Sequence, residues 1–239
     1  MKESNEFSKK FINSGFVISK IEDKNSYLKI EKEVFLIVKK FLKIKKKISK
    51  EFLLNNLHKY LEVKKINELR LKIYRELNSK KWFKQAYFLL ASKTIEAITG
   101  NELAMQNNIN FSIQIPKDIS SKLEMHADSL SGESKFQVVL WVPFMNVYKT
   151  KSMYIFSKKF SQKTLKNLKN YKYEGMAGIY KKNLNKKKFL KVKKGEFLLF
   201  SPNLFHGNVK NVTSETRISM NTRFKNLFSP SGDKKQFGK

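Results

Sequence analysis

Hydrophobic positions in the first hundred residues recur with helical spacing. Between residues 26 and 77, apolar side chains return every three or four positions, with lysine and glutamate between them. This is the periodicity of amphipathic helices that bury one face. A further helix is predicted over residues 82–99, ending at Gly100. Residues 1–100 are therefore expected to be mainly helical and to pack on one side of a sheet.

From residue 109 the period changes to two. Apolar residues from Ile109 to Ile115 alternate with the polar residues Asn110, Ser112 and Gln114. Such alternation predicts a strand with one apolar and one polar face. The polar face can be exposed to solvent, or it can line an internal cavity. The pattern alone leaves both interpretations open.

Several later segments also have strand character. Residues 136–144 are almost continuously apolar, as expected for a strand buried on both faces. Further strands are predicted at 153–156, 189–192, 196–200 and 216–224, and the middle two flank a Lys-Lys-Gly turn, which predicts a hairpin. Helices followed by many short strands indicate an α+β fold with a jelly-roll barrel.

The expected organisation is one domain spanning residues 1–239, a length that single domains containing sheets reach. The strand-rich core covers 101–228, and a polar tail covers 229–239. A lysine-rich insertion near 158–188 interrupts the core. Long insertions are often lids over an active site, but they can also be surface excursions, and the sequence does not separate the two.

Charge is the most unusual property of the composition. Lys and Arg total 50 against 20 Asp and Glu, a formal net charge of +30, which raises the possibility of nucleic-acid binding. However, only four of the 50 are arginines, leaving 50 − 4 = 46 lysines spread over every segment. This distribution indicates a general compositional bias and makes nucleic acid an unexpected partner. The arginines that remain are then expected to do what lysine cannot.

The absence of cysteine excludes disulfides and thiolate metal sites. It is compatible with a reducing cytoplasm, which is the expected location. The sequence shows no apolar run long enough to cross a bilayer and no N-terminal segment shaped like a signal peptide.

Candidate chemistry begins at His126 and Asp128, which an extended backbone directs to the same side. A second histidine, His206, follows the apolar run at 197–200. Two imidazoles and one carboxylate are the ligand set of non-heme Fe(II) oxygenases. Arg217 and Ser219 come next on the last predicted strand. The rigid fork of an arginine suits a carboxylate, and this pair is similar to the site for the distal carboxylate of 2-oxoglutarate.

Taken together, these motifs resemble the phytanoyl-CoA dioxygenase superfamily of Fe(II)/2-oxoglutarate oxygenases. More narrowly, the chain resembles a bacterial group called the sporadic carbohydrate cluster 2OG-Fe(II) oxygenases. The stretches that carry the narrower resemblance are Asn67-Glu-Leu-Arg70, Asn101-Glu-Leu-Ala-Met-Gln106, Ser112-Ile-Gln-Ile-Pro116, His126-Ala-Asp128 and Tyr148-Lys-Thr-Lys-Ser-Met-Tyr154.

The resemblance implies a double-stranded β-helix barrel of the cupin-like, jelly-roll type. It implies His126, Asp128 and His206 as iron ligands, with 2-oxoglutarate and O2 as co-substrates. Arg217 and Ser219 would hold the distal carboxylate of 2-oxoglutarate. It also implies that polar residues on the strand before the first histidine touch 2-oxoglutarate; Asn110 and Gln114 are the candidates. The implied activity is hydroxylation of a small carbohydrate-derived molecule, such as a sugar, nucleotide-sugar or surface-glycan precursor.

Two alternatives remain open from the sequence. The same chemistry could act on a nucleic acid, which the net charge would favour. Alternatively, the polar cluster could satisfy itself inside a barrel that binds but does not catalyse. The sequence does not reveal the oligomeric state or the atom that is oxidised.

Overall fold

The computed structural model describes residues 2–232, with side chains described from residue 6 onward, so the predicted tail lies outside the described residues from position 233. The α-helices are α1 Lys2–Ser14, α2 Lys24–Phe41, α3 Lys50–Asn55, α4 Ile66–Asn78, α5 Phe83–Leu89, α6 Ser92–Thr99, α7 Lys158–Lys166 and α8 Gly175–Lys182. The strands are β1 Phe16–Lys20, β2 Leu103–Met105, β3 Asn110–Gln114, β4 Gln137–Pro143, β5 Tyr154–Ile155, β6 Lys188–Phe189, β7 Glu196–Phe200, β8 His206–Gly207 and β9 Arg217–Asn226. The α+β class is confirmed.

Two antiparallel sheets organise the strands. The larger has the order β1-β7-β4-β9-β2, and β3 pairs with the first half of β9. The smaller has the order β6-β5-β8 and is extended by a bridge between His126 and His206. From β3 onward the chain passes repeatedly between the two sheets, so residues distant in sequence face each other across the space between them.

β4 is buried on both faces, which explains its continuous run of apolar residues. All seven of its residues are buried. Val138 and Leu140 pack in the cluster formed with the helices. Val139 and Trp141 point the other way, into a second cluster that includes Ile155 of β5 and residues of β7. The prediction of a strand buried on both faces is confirmed.

The N-terminal helices cover the outer face of the larger sheet, as predicted. Ile30 of α2, Ile73 of α4 and Tyr87 of α5 are fully buried in this layer. The Tyr87 hydroxyl donates to the Leu140 carbonyl oxygen at 2.9 Å, which ties a helix to a central strand. In residues 2–232, no helix has the length and apolar character needed to cross a membrane.

The helix predicted over residues 82–99 is divided in two, which corrects the sequence interpretation. Ala91 leaves the helical region with φ −152°, and α6 begins immediately after it. The Glu22 carboxylate accepts from the backbone N–H groups of Lys93 and Thr94 at 2.8 and 3.0 Å. This carboxylate occupies the place of an N-cap, because it satisfies donors that have no partner within the helix. Helical periodicity could not show a cap supplied from so far away in sequence.

The predicted hairpin over 189–200 is wrong. The turn forms, with Glu196 N–H donating to the Lys193 carbonyl at 3.0 Å, but its flanking strands do not pair with each other. β6 pairs with β5 in the smaller sheet, whereas β7 lies between β1 and β4 in the larger one. Both edges of β7 are therefore occupied, and the turn carries the chain from one sheet to the other.

The lysine-rich insertion contains α7 and α8 and packs on the outer side of the smaller sheet. Tyr180 stacks on Tyr154 with ring centroids 5.5 Å apart. Phe160 stacks on Phe156 at 4.7 Å, and Ile179 is buried in the same cluster. The insertion thus supplies an apolar cover for this sheet.

Candidate metal centre

Backbone pairing brings the two histidines together. His126 and His206 form an antiparallel bridge, with each N–H donating to the other's carbonyl oxygen at 3.0 and 2.9 Å. Asp128 lies two residues after His126, where a short 3-10 turn begins. The Nε2 atoms of His126 and His206 lie 3.5 and 3.8 Å from Asp128 Oδ1. One ligand atom from each of the three residues falls within 4.8 Å of the others.

Each imidazole is oriented through its second nitrogen. His126 Nδ1 lies 2.8 Å from the Glu124 carbonyl oxygen, and His206 Nδ1 lies 2.9 Å from that of Leu204. A carbonyl can only accept, so both Nδ1 atoms must carry hydrogen. In the neutral ring, Nε2 then keeps its lone pair and faces Asp128. Such orientation by an outer partner is typical of metal-binding histidines.

The charge states also suit a cation. Burial raises the pKa of Asp128, but the hydrogen bond with His126 and the nearby His206 and Arg223 outweigh it and hold the pKa well below its usual range. Burial lowers the pKa of His206 to about 4. For His126, burial lowers the pKa, but the hydrogen bonds that the protonated ring donates to Asp128 and to the Glu124 carbonyl oxygen outweigh burial and raise the pKa. At neutral pH the cluster therefore contains an ionised carboxylate and a neutral buried imidazole.

Arg223 holds the other oxygen of the acid. Its Nη2 donates to Asp128 Oδ2 at 2.9 Å, and its Nη1 donates to Gln106 Oε1 at 3.2 Å. Its Nε lies 3.8 Å from Glu133 Oε2. Asp128 Oδ1 is consequently left facing the two imidazoles. No role was assigned to Arg223 from the sequence. Two features could have indicated one: arginine is scarce in this chain, and Arg223 shares a face of β9 with Arg217.

Arg217, at the other end of that face, has a different environment. It is 3% exposed, and burial lowers the pKa of its guanidinium to about 10, so it stays cationic at neutral pH. Nη2 donates to Ser112 Oγ at 3.3 Å, whereas Nε has no hydrogen-bond partner within the described chain. No carboxylate of residues 6–232 forms an ion pair with it. A buried cation without an anion is costly, which points to an anionic ligand.

Two neighbours of Arg217 also have a polar atom without a hydrogen-bond partner. Ser219 Oγ and Gln114 Oε1 are buried and have no hydrogen-bond partner in the described part of the chain. β3 and β9 place Gln114 opposite Arg217 and Ser112 opposite Ser219. Gln114 does use its amide nitrogen, which donates to the Val209 carbonyl at 2.7 Å. The unpaired groups therefore cluster around one end of β9.

A cavity of about 660 Å³ connects the two arginines. His126, Asp128, His206, Arg217 and Arg223 all line it. Its apolar wall is formed by Val139, Trp141, Met153 and Phe200, and its polar wall includes Ser112, Asn208 and Asn221. This volume is in the range of small-molecule sites, roughly 300–1,000 Å³.

Some predicted site residues lie outside this lining. Asn110, Gln114 and Ser219 do not line the cavity, whereas Ser112, on the same face of β3, does. No residue of the insertion at 158–188 contributes to it either. The arrangement offers two imidazole nitrogens and one carboxylate oxygen to a divalent cation, and the Arg217 guanidinium to a carboxylate.

No protein-family model and no curated protein matches this sequence. Solved structures do match. EvdMO1 aligns with a TM-score of 0.59 at 12% identity over 94% of this chain, which spans only about half (50%) of EvdMO1. The non-heme alpha ketoglutarate dependent epimerase SnoN from nogalamycin biosynthesis aligns at 0.56 and 12% identity, covering 94% of this chain and 83% of SnoN. HygX from Streptomyces hygroscopicus, with nickel and 2-oxoglutarate bound, aligns at 0.58 and 11% identity, covering 95% and 88%.

The chain shares its fold with these proteins. At such identities the likeness concerns the fold alone, because one fold hosts many functions. The function of this chain is therefore inferred from its own side chains.

Proposed function

We propose that this protein is an Fe(II)- and 2-oxoglutarate-dependent dioxygenase. The observation that carries the proposal is the buried, unpaired guanidinium of Arg217 in the same cavity as His126, Asp128 and His206. Either feature alone has a simpler explanation. Together they provide separate places for a divalent metal and for a remote carboxylate, as a chelating keto acid requires. HygX, which shares the fold, binds nickel and 2-oxoglutarate.

The residues of the cavity fit both a divalent metal and 2-oxoglutarate. His126 and His206 would donate through Nε2 and Asp128 through Oδ1, which is the donor set of non-heme iron sites. When bound, iron with 2-oxoglutarate supplies the oxidising power for attack on a C–H bond using O2. Arg223 holds Oδ2, which would leave Oδ1 as the carboxylate oxygen available to a metal. Arg217 would take the distal carboxylate and gain the anionic partner that it lacks. Ser219 Oγ, two residues further along the same face of β9 and also unpaired, would donate to that carboxylate, although Ser219 does not line the ligand-free cavity.

We further propose that the two sheets form a double-stranded β-helix. The strand order supports this, because β3, β4, β7 and β9 lie in the larger sheet while the His126 segment, β5, β6 and β8 lie in the smaller. The apolar cluster between the sheets fills one part of the interior, and the His126 site occupies the other.

For the substrate we propose a sugar, nucleotide-sugar or surface-glycan precursor. The support is the resemblance of the sequence to oxygenases of carbohydrate gene clusters. The cavity, about 660 Å³ in volume, also has the size of a small-molecule site.

The test is anaerobic titration of the purified protein with Fe(II) and 2-oxoglutarate, followed by exposure to O2. We expect one metal site, and succinate formation that requires both additions. The His206→Ala variant should bind less metal and form no succinate above background. A folded wild-type protein that takes up neither metal nor 2-oxoglutarate would leave only a barrel without catalysis, in which His206→Ala changes stability alone.

A further inference from the structure

The charges that line the cavity are unbalanced. Cationic side chains on its wall are Lys64, Arg70, Lys122, Arg217 and Arg223, whereas Asp128 is the one acidic residue among the lining residues. Arg223 is paired with Asp128. Arg217 is assigned above to 2-oxoglutarate. The positive charge on the α4 side of the cavity remains without a function.

Arg70 is the most specific of these remaining cations. It lies on α4, and its Nε and Nη2 both donate to Asn67 Oδ1, at 3.1 and 2.7 Å. Asn67 also lines the cavity. A neutral amide therefore orients the half-buried guanidinium at the cavity wall without neutralising it. Among the side chains of residues 6–232, no carboxylate lies within ion-pair distance of Arg70.

The two lysines differ from Arg70 in this respect. Lys64 pairs with Glu62 at 2.9 Å and Lys122 with Glu124 at 3.2 Å, all four at exposed positions. They add to the positive field at the cavity mouth, but each has a local counter-ion. Arg70 is thus the cation there that is oriented and unpaired.

The distribution of arginine strengthens this distinction. The chain contains four arginines, and three of them line this one cavity. In a chain so rich in lysine, an arginine is favoured where a planar fork must recognise two oxygens at once. Arg223 and Arg217 each have such a task. Arg70 has the same chemistry available, but its partner is the neutral Asn67 amide and not a carboxylate.

We propose that the substrate of this cavity carries an anionic group, a phosphate or a carboxylate, which Arg70 binds on the α4 side of the cavity while the carbon to be oxidised faces the His126 site. The placement of the oxidised carbon at the His126 site rests on the proposed function, whereas anion binding by Arg70 does not. It narrows the substrate from carbohydrates in general to charged ones, such as sugar phosphates, nucleotide-sugars or uronates.

A matched pair of variants tests the proposal. Arg70→Gln removes the unpaired fork, and Arg75→Gln removes the same charge from the same helix at a residue that does not line the cavity. Pyrophosphate, glucuronate and glucose are titrated calorimetrically at constant ionic strength into protein loaded with Ni(II) and saturating 2-oxoglutarate, so that Arg217 is already occupied. Pyrophosphate and glucuronate distinguish phosphate from carboxylate recognition, and glucose is the uncharged control.

We expect at least one anion to bind the wild-type protein, and glucose to bind more weakly. Arg70→Gln should weaken anion binding about tenfold or more, the usual size of a lost charged hydrogen bond, with Arg75→Gln within about twofold of wild type. Equal losses in both variants, or no anion binding by wild type, would overturn the proposal. If the protein took up no 2-oxoglutarate but still bound an anion through Arg70, the anion site would stand and the proposed function would be wrong.

Discussion

Arg217 and Arg223 lie on the same face of one strand, yet their surroundings differ. Arg223 forms an ion pair with Asp128 and donates to Gln106, so the charge at its end of β9, the complete end, is compensated without any ligand, although its Nε also has no hydrogen-bond partner in the described chain. Arg217 has a single hydroxyl partner, and its Nε, together with Ser219 Oγ, lacks one in the described chain. The complete end could be explained as a self-satisfied polar cluster. The incomplete end could not, because an unpaired buried cation is stable only when something else compensates it.

The largest effect is expected on metal affinity, from a substitution at the complete end of β9, beside Arg223. Asp128→Ala removes the one acidic metal donor and also leaves Arg223 without its partner. We expect metal affinity to fall by more than about 100-fold, since even outer partners of metal ligands are worth 10–100-fold. Competition with a chromogenic chelator measures this. Asp118→Ala, which removes a carboxylate bonded only to Ser120 on an exposed loop, should leave metal affinity unchanged; an equal loss there would mean that Asp128 is not a ligand.

The next largest effect is expected at the incomplete end. Arg217→Gln should weaken 2-oxoglutarate binding about 100-fold, because losing one member of a buried ion pair costs about 2–5 kcal/mol. Metal affinity should change little. Arg217→Lys should recover only part of the loss, since lysine has no bidentate fork.

A companion variant sharpens the difference between the two ends. Arg217→Met removes the unpaired buried charge, so the ligand-free protein should become more stable, by about 1–3 kcal/mol. Arg223→Met breaks an existing pair and should be destabilising. Urea denaturation compares them, and a loss of stability in Arg217→Met of the same size as in Arg223→Met would show that Arg217 is not an unsatisfied cation.

A smaller effect should follow from loosening Asp128 without removing it. Arg223→Gln frees Oδ2, and we expect metal affinity to fall about 10-fold, as for other partners that orient a ligand. The affinity of metal-loaded protein for 2-oxoglutarate should stay within about threefold. If the 2-oxoglutarate affinity fell more than the metal affinity, the roles assigned to the two arginines would be reversed.

The smallest effect on activity is expected in the insertion. Tyr180→Ala removes a stacking contact with Tyr154, and we expect a loss of about 1 kcal/mol in stability. Succinate formation should change less than about threefold, because no residue of 158–188 lines the cavity. A large decrease in turnover with normal stability would instead indicate that the insertion acts as a lid.

Period-two alternation correctly predicted β3 and β9, and the apolar run predicted β4, because each strand's own side chains carry that pattern. The order His126, Asp128, His206 correctly indicated three groups that meet, since β8 and the His126 segment pair. The strands could be predicted because their pattern is local. The three ligands could be predicted because few combinations of side chains bind iron.

The remaining features depended on partners that local sequence does not specify. The break between α5 and α6 is capped by Glu22, 71 positions from Lys93. The false hairpin failed because β7 already had strands on both edges. The role of Arg223 arises from a contact with Asp128 across 95 positions. Only the tertiary fold determines such pairings.

The central claim is that Arg217 completes a site whose other part is the metal held by His126, Asp128 and His206. Its most direct test is an anaerobic titration of 2-oxoglutarate into Fe(II)-loaded protein, followed by the visible charge-transfer band of the chelate. The wild-type protein should develop a saturable band, His206→Ala should lose it, and Arg217→Gln should require about 100-fold more 2-oxoglutarate. A band that saturates equally in wild type and Arg217→Gln would contradict the claim.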